Sequence, residues 1–256
     1  MDRENWDAVA QDYQRVFKAG IGEYNRQLID YIADKAKLAP GSRVLDVGCG
    51  VGKYGACLAA LGCELCLTDI SPKMLEHARE NMKPFSSPWQ TLCGDFHELD
   101  LTKEPFAGGF RLSISTMSPA ISSQEDIKRL SSISSYCFLT GFDSWEQPLR
   151  DSIYQALGAE KAGAMEGYGE AMLAVLRQAG YEPEHRVVPY GWTDRRSPAE
   201  QAEYMLRRHP QLDEGDSELM KKSEEIIRGF AEEDGLVTDR VDTLVSWIWW
   251  KGDRNI

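Results

Sequence analysis

Three acidic residues and one run of glycines have the types and spacing to do chemistry in this 256-residue sequence. In Val44-Leu45-Asp46-Val47-Gly48-Cys49-Gly50-Val51-Gly52-Lys53-Tyr54-Gly55 an apolar run breaks into glycines and resumes as a helical pattern. Glycine, lacking Cβ, lets the backbone pass close to a ligand at the carboxyl edge of a sheet. Leu67-Thr68-Asp69-Ile70-Ser71 closes the next apolar run, and Asp69 follows Gly48 by 21 residues. A carboxylate at that place can accept from both hydroxyls of a ribose. Gly94-Asp95-Phe96 closes the third run. One such aspartate alone reads as an N-cap or a turn residue. Three at successive strand ends read as one site.

Positioning them requires a sheet. Strands are expected at Arg43–Val47, Glu64–Thr68, Gln90–Cys93, Arg111–Ser115 and Tyr136–Phe142, with helices near Lys53–Leu61, Pro72–Met82 and Gln124–Ser131 between them. Alternation of this kind means crossover units and a mostly parallel sheet covered on both faces. Before it, residues 1–38 read as helix, with Trp6, Val9, Ala10, Tyr13 and Val16 recurring at helical spacing until Ala39-Pro40-Gly41-Ser42 stops them. After it come a helix at Gly169–Ala179 closed by Gly180, a strand at His185–Tyr190 and a last strand at Thr243–Trp250. Between those two strands lie the charged helical segments Ser197–Arg208 and Ser217–Glu233, parted by Pro210 and Gly215. Connections that long rarely lack structure or purpose, so residues 193–236 read as a helical insertion in a single domain of 1–256.

The loop is not a dinucleotide fingerprint, which wants its third glycine where Lys53 stands; nor does it end in the Gly-Lys-Ser/Thr of a phosphate-binding loop. Its acidic-x-Gly-x-Gly-x-Gly pattern resembles the first motif of class I S-adenosylmethionine (SAM) dependent methyltransferases, over roughly residues 1–192 and the final strand. The resemblance implies an α/β Rossmann-like three-layer sandwich whose seven-stranded, mostly parallel sheet has an antiparallel last strand. It also implies SAM as cofactor and methyl transfer to a small molecule. Asp46, Gly48, Cys49, Gly50 and Gly52 would form the cofactor loop, Asp69 would hold the ribose and Asp95 the adenine amino group. Phe96 would supply a backbone amide to the ring, and Ile70 and Met74 would flank it. Backbone at Ser115 and Thr116 would meet the SAM amino group, and Tyr13, in Trp6-Asp7-x-x-Ala10-x-x-Tyr13, would close over the cofactor. A non-catalytic SAM-binding sensor or partner protein is the alternative.

The acceptor side says less. Ser118-Pro119-Ala120-Ile121 lacks the Asn or Asp, prolines and aromatic of amino-methylating nucleic-acid enzymes. That agrees with charge, since 29 Lys and Arg against 41 Asp and Glu leave −12, a field that repels nucleic acid and anionic membrane. No catalytic residue is assigned. Asp143 and Trp145 read as a cap and a packing residue. His77, His97, His185 and His209 default to surface positions, with His97 the one to test as a base. Trp247, Trp249 and Trp250 read as a packed strand. No metal-binding cluster is evident. The six cysteines read as reduced thiols of a cytoplasmic protein, an expectation that the absence of an apolar leader and of a membrane span supports. The insertion is either a lid that selects the acceptor or an element of a homo-oligomer.

Overall fold

The computed structural model describes residues 3–18, 20, 22–159, 167–209, 212 and 215–255; Pro210 lies outside them. Seven strands run β1 (Arg43–Val47), β2 (Glu64–Asp69), β3 (Trp89–Cys93), β4 (Phe110–Thr116), β5 (Ser134–Phe142), β6 (Glu184–Arg196) and β7 (Val237–Lys251). They form one sheet in the order β3-β2-β1-β4-β5-β7-β6. That order separates the fold from the dinucleotide-binding sheet, in which the sixth strand lies directly beside the fifth with no strand between them. Strands β1 to β5 pair in parallel. Strand β7 runs the other way: the Asp143 amide donates to the Leu244 carbonyl, while Glu146 and Asp242 exchange backbone hydrogen bonds. The α/β sandwich expected from the sequence is therefore the fold observed.

Strand β1 is apolar on both faces because helices cover it twice, and Val44, Leu45 and Val47 are buried with Asp46 among them. Its register sets Val47 beside Thr68, and Asp69 beside Cys93, so three strand ends share one edge. The helices are α1 (Arg3–Lys18), α2 (Glu23–Ala36), α3 (Lys53–Ala60), α4 (Pro72–Met82), α5 (Gln124–Ser132), α6 (Pro148–Leu157), α7 (Tyr168–Gln178), α8 (Pro198–Arg207) and α9 (Ser217–Arg228). Their starts follow local chemistry. The Ser71 hydroxyl accepts the Met74 amide ahead of Pro72, and Ser123 with Asp126 forms a reciprocal capping box, as Ser197 does with Glu200.

Three elements differ from the sequence reading. Helix α6 was not expected, and β6 and β7 are 13 and 15 residues long. Alternating burial along β7 carries that extension, with Val237, Asp239, Val241, Thr243 and Val245 buried on one face.

The chain forms two compact units. The first comprises Met1–Gly141, Gly169–Arg186 and Ser246–Ile256. In it Leu28 and Ile32 of α2 are fully buried, and Tyr31, Phe138, Trp247 and Trp249 make an aromatic cluster. The three tryptophans of β7 are packed, as expected. The second unit comprises Phe142–Tyr168 and Val187–Val245. Its core joins Leu149, Ile153 and Tyr154 of α6 to Ala202 and Met205 of α8, Ile227 of α9 and Val237 of β7. The apolar residues of the two insertion helices thus pack on each other, on α6 and on β7. Tyr204, Met220 and Ile226 lie against the same core.

Candidate functional site

The site residues lie in the first unit, where β1 delivers Asp46 and the chain turns sharply. Gly48, Gly50 and Gly52 have φ of 69°, 55° and 79°, a left-handed region that disfavours side chains. The turn is fastened to the next strand, since the Gly48 and Cys49 amides both donate to the Thr68 carbonyl, at 2.8 and 2.9 Å. Gly52 then opens α3, and a Cβ on it would meet the Ala78 Cβ of α4 at 3.2 Å.

Asp69 secures the same loop. Its Oδ2 accepts from the Gly50 amide and its Oδ1 from the Ser71 amide, both at 2.8 Å. Burial raises its pKa even against those amide bonds. Asp46 has no such partners among the described residues: it is fully buried, and neither carboxylate oxygen is hydrogen-bonded there. Burial first, and the charge of Asp69 second, push its pKa up to about 8. Cys49, buried beside these acids, is held firmly as a thiol.

Other expected residues gather around this edge. The Ser115 hydroxyl donates to the Val47 carbonyl at 2.9 Å, joining the end of β4 to the end of β1, with Thr116 buried next to it. Met74 is buried with Val51 and Ala10, and a Cβ on Gly50 would lie 4.0 Å from its sulfur. Ile70 is half-buried. Phe96 is buried after Asp95, with the Arg129 guanidinium 5.6 Å from its ring. Tyr13 is 38% exposed, its ring edge-on to Trp6 at 6.3 Å.

Helix α1 is anchored more specifically than its aromatic pattern suggested. Asp7 accepts from the Ser71 hydroxyl, which holds its carboxyl below the usual range, and Gln14 exchanges side-chain hydrogen bonds with Asn81. Ser71 therefore faces both ways, its hydroxyl to α1 and its amide to Asp69.

One expectation for the histidines is corrected. His209 is buried and edge-packed on Tyr154 at 4.6 Å, because that ring needs a flat neighbour in the core of the second unit. His97 is half-exposed but has a partner, its Nδ1 lying 2.7 Å from Oδ1 of the fully buried Asp126. Sequence reasoning missed Asp126, whose only local signal was the capping pair with Ser123. Ser118 was read only for the side chain it lacks, yet it packs directly under Gly48. Trp145 packs on Phe142 and Trp192, as a packing residue should, and its indole N–H donates to Gln147. Among the described residues no helix is long and apolar enough to cross a membrane. All six cysteines are free, with Cys93 exposed and Cys57 half-buried rather than buried.

Comparison with known proteins points to one family. Residues 44–131, from β1 into α5, match a family model described as a methyltransferase domain. A 23S ribosomal RNA uracil-C5 methyltransferase of Shewanella woodyi is 34% identical over 87 residues, covering 34% of this chain and 20% of that protein. A ubiquinone biosynthesis O-methyltransferase of Xanthomonas campestris pv. campestris is 43% identical over 51 residues, 20% of this chain and 21% of that one. The chain spans about a fifth of the length of these relatives. Among solved structures, magnesium protoporphyrin IX methyltransferase from Synechocystis, with bound SAH, superposes with a TM-score of 0.54 at 19% identity, over 73% of this chain and 90% of that one. A sarcosine dimethylglycine methyltransferase assigned in Galdieria sulphuraria superposes at 0.51 with 13% identity, over 91% and 86%. At such identities these two structures share the fold.

Proposed function

We propose that this chain, whose residues 44–131 form a methyltransferase domain on the class I methyltransferase fold, transfers the methyl group of SAM to a small-molecule acceptor. The observation that carries this reading is Asp46, a buried carboxylate without a hydrogen-bond partner among the described residues, at the start of a glycine loop. A buried carboxylate needs a cation or donors to stay ionised. The α-ammonium group of SAM is a cation of the right kind. Each oxygen of Asp69 accepts one backbone amide and keeps a lone pair for a ribose hydroxyl. In this reading Asp95 takes the adenine amino group, the Phe96 backbone amide meets the ring, and Ile70 and Met74 flank it. Backbone at Gly48, Cys49, Gly50, Gly52, Ser115 and Thr116 lies along the amino-acid end, and Tyr13 closes over it.

When bound, SAM supplies an electrophilic methyl that an acceptor lone pair displaces in line, with the C–S electron pair leaving on sulfur. The protein's part is to fix geometry. The loop fastened at Thr68 and the two-sided grip of Asp69 hold the binding edge rigid.

The charge of −12 favours a small acceptor over RNA, even though three Shewanella relatives are named as 23S ribosomal RNA methyltransferases. Free thiols accord with a cytoplasmic setting. For the insertion 193–236 we propose a part in choosing the acceptor.

Calorimetric titration with SAM and S-adenosylhomocysteine, followed by a labelled-methyl screen against a metabolite extract, tests the reading. Binding with transfer supports it. Binding with no transfer to any pool selects the non-catalytic alternative, and absence of binding by folded protein overturns both.

A further inference from the structure

The second unit carries four half-buried aromatic side chains in mutual contact. Phe142 closes β5 and Trp145 follows shortly after it, while Tyr190 and Trp192 stand two apart on β6 and so share one face of that strand. The Trp145 ring meets Phe142 at 4.9 Å and Trp192 at 5.1 Å between centroids, and its plane is steeply inclined to both, at 89° and 75°. Trp192 leans on Tyr190 at 5.1 Å and 39°. The rings therefore meet as a corner rather than as a stack. A flat ring entering such a corner finds a face to lie on and an edge to meet, the two arrangements that aromatic pairs favour.

The corner is braced from within the same unit. The Trp145 indole N–H donates to Gln147 Oε1 at 3.1 Å, and Gln147 Nε2 donates to Asp239 Oδ2 at 2.8 Å, with Gln147 and Asp239 both buried. Packing alone leaves a half-exposed indole free to rotate, whereas this chain of bonds fixes it. A ring fixed in advance loses little freedom when a ligand arrives. The surroundings also disfavour charge. Burial raises the Tyr190 phenol and keeps it neutral, and a charged ligand would meet the same penalty. Asp194, next along that face of β6, is ion-paired with Arg196.

We propose that this corner is the second unit's share of acceptor recognition and takes a neutral, flat aromatic ring. That the ring is the methyl acceptor rests on the SAM reading above; that the ring binds does not, and the test separates the two. The probe is 2-naphthol, titrated calorimetrically into the full chain. Its counterparts are 2-decalol (saturated), 2-naphthoate (a flat anion) and 2-naphthylmethylammonium (a flat cation). 2-Naphthol is expected to bind at least about tenfold tighter than 2-decalol and at least about fivefold tighter than either charged probe. Trp145→Leu and Trp192→Leu, each alone, should weaken it at least about fivefold while S-adenosylhomocysteine changes less than about twofold. In chain grown with 5-fluorotryptophan, 2-naphthol should move two of the seven indole fluorine resonances, one missing in Trp145→Phe and the other in Trp192→Phe.

Equal binding of 2-naphthol and 2-decalol overturns the proposal, and so does tighter binding of a charged probe. Unchanged 2-naphthol affinity in either folded leucine variant removes the corner from the site. If neither leucine variant folds, the fluorine spectra decide: resonances of Trp145 and Trp192 that stay in place overturn the proposal. Binding of S-adenosylhomocysteine without 2-naphthol sinks this proposal and leaves the SAM reading intact. Binding of 2-naphthol at the corner by folded chain that takes no S-adenosylhomocysteine sinks the SAM reading and leaves the ring site.

Discussion

Gly48 and Ser118 touch so closely that a Cβ on the glycine would sit 2.0 Å from the serine hydroxyl oxygen and 2.8 Å from its Cβ. The loop after β4 thus packs directly beneath the first glycine of the loop after β1. Met117, just before Ser118, adopts a φ of 52°, and its amide is held by the Thr140 carbonyl at 3.0 Å. Neither loop can shift alone.

Gly48→Ala is therefore expected to lower stability by at least about 1–2 kcal/mol from backbone strain alone, before the collision with Ser118 is counted. Thermal melting measures the loss. Ser118→Gly in the same chain should return part of it, because it removes the colliding hydroxyl but leaves the strain.

Asp69→Ala removes acceptors for the Gly50 and Ser71 amides as well as the oxygens proposed above to hold ribose. Loss of such charge-assisted bonds should weaken S-adenosylhomocysteine by one to two decades, about 1.5–3 kcal/mol. Calorimetric titration of the folded variant checks this. Unchanged affinity would remove Asp69 from the site.

Asp46 makes binding and stability depend on pH. Its carboxyl is pushed to about 8 in the folded chain, against about 3.9 when unfolded. Between those values the folded state holds a proton that the unfolded state has released, so stability falls as pH rises from about 4 to about 8 and levels off above. Asp46→Asn should flatten that slope in denaturant titrations. A ligand ammonium favours the ionised carboxylate, so wild type should release up to about one proton on binding at pH 7. Titration in buffers of different ionisation enthalpy counts it, and the count should vanish in Asp46→Asn.

In the second unit Asp239 accepts from the Gln147 and Gln201 side-chain amides, both at 2.8 Å, while Gln201 also accepts from the buried Arg196. Asp239→Ala leaves two amide donors without their acceptor and should cost about 2–3 kcal/mol in chemical denaturation. Gln147→Leu, which removes one donor and keeps its volume, should cost less.

Much of the candidate site's edge was legible because its signals are local. A buried strand, a glycine turn and an acid at a fixed offset lie within a few residues of each other. Asp126 was hidden because its partner His97 is 29 residues away and the residue already had an ordinary role as a cap. Helix α6 carries Leu149, Ile153, Tyr154 and Leu157 at helical spacing, but the helix is a single short one in a segment read for acceptor residues. The early half of β7 was obscured by its charges. Asp239, Arg240 and Asp242 look like a solvated loop, and only the two glutamine amides explain how Asp239 is buried there.

The hydrogen bond from the Trp247 indole to the Tyr24 hydroxyl, at 2.8 Å, joins residues 223 positions apart. On a ribosome adding about 5–20 residues each second, Tyr24 waits roughly 11–45 s for its partner. During that time Tyr24 and Tyr31 of α2 lack the Trp247 ring against which both pack. A nascent chain stopped before Ser246 would have every residue of its second unit and still present a sticky, unfinished first one to chaperones. Damage to the codons for Ser246–Lys251 should therefore register in the cell as a defect of helix α2.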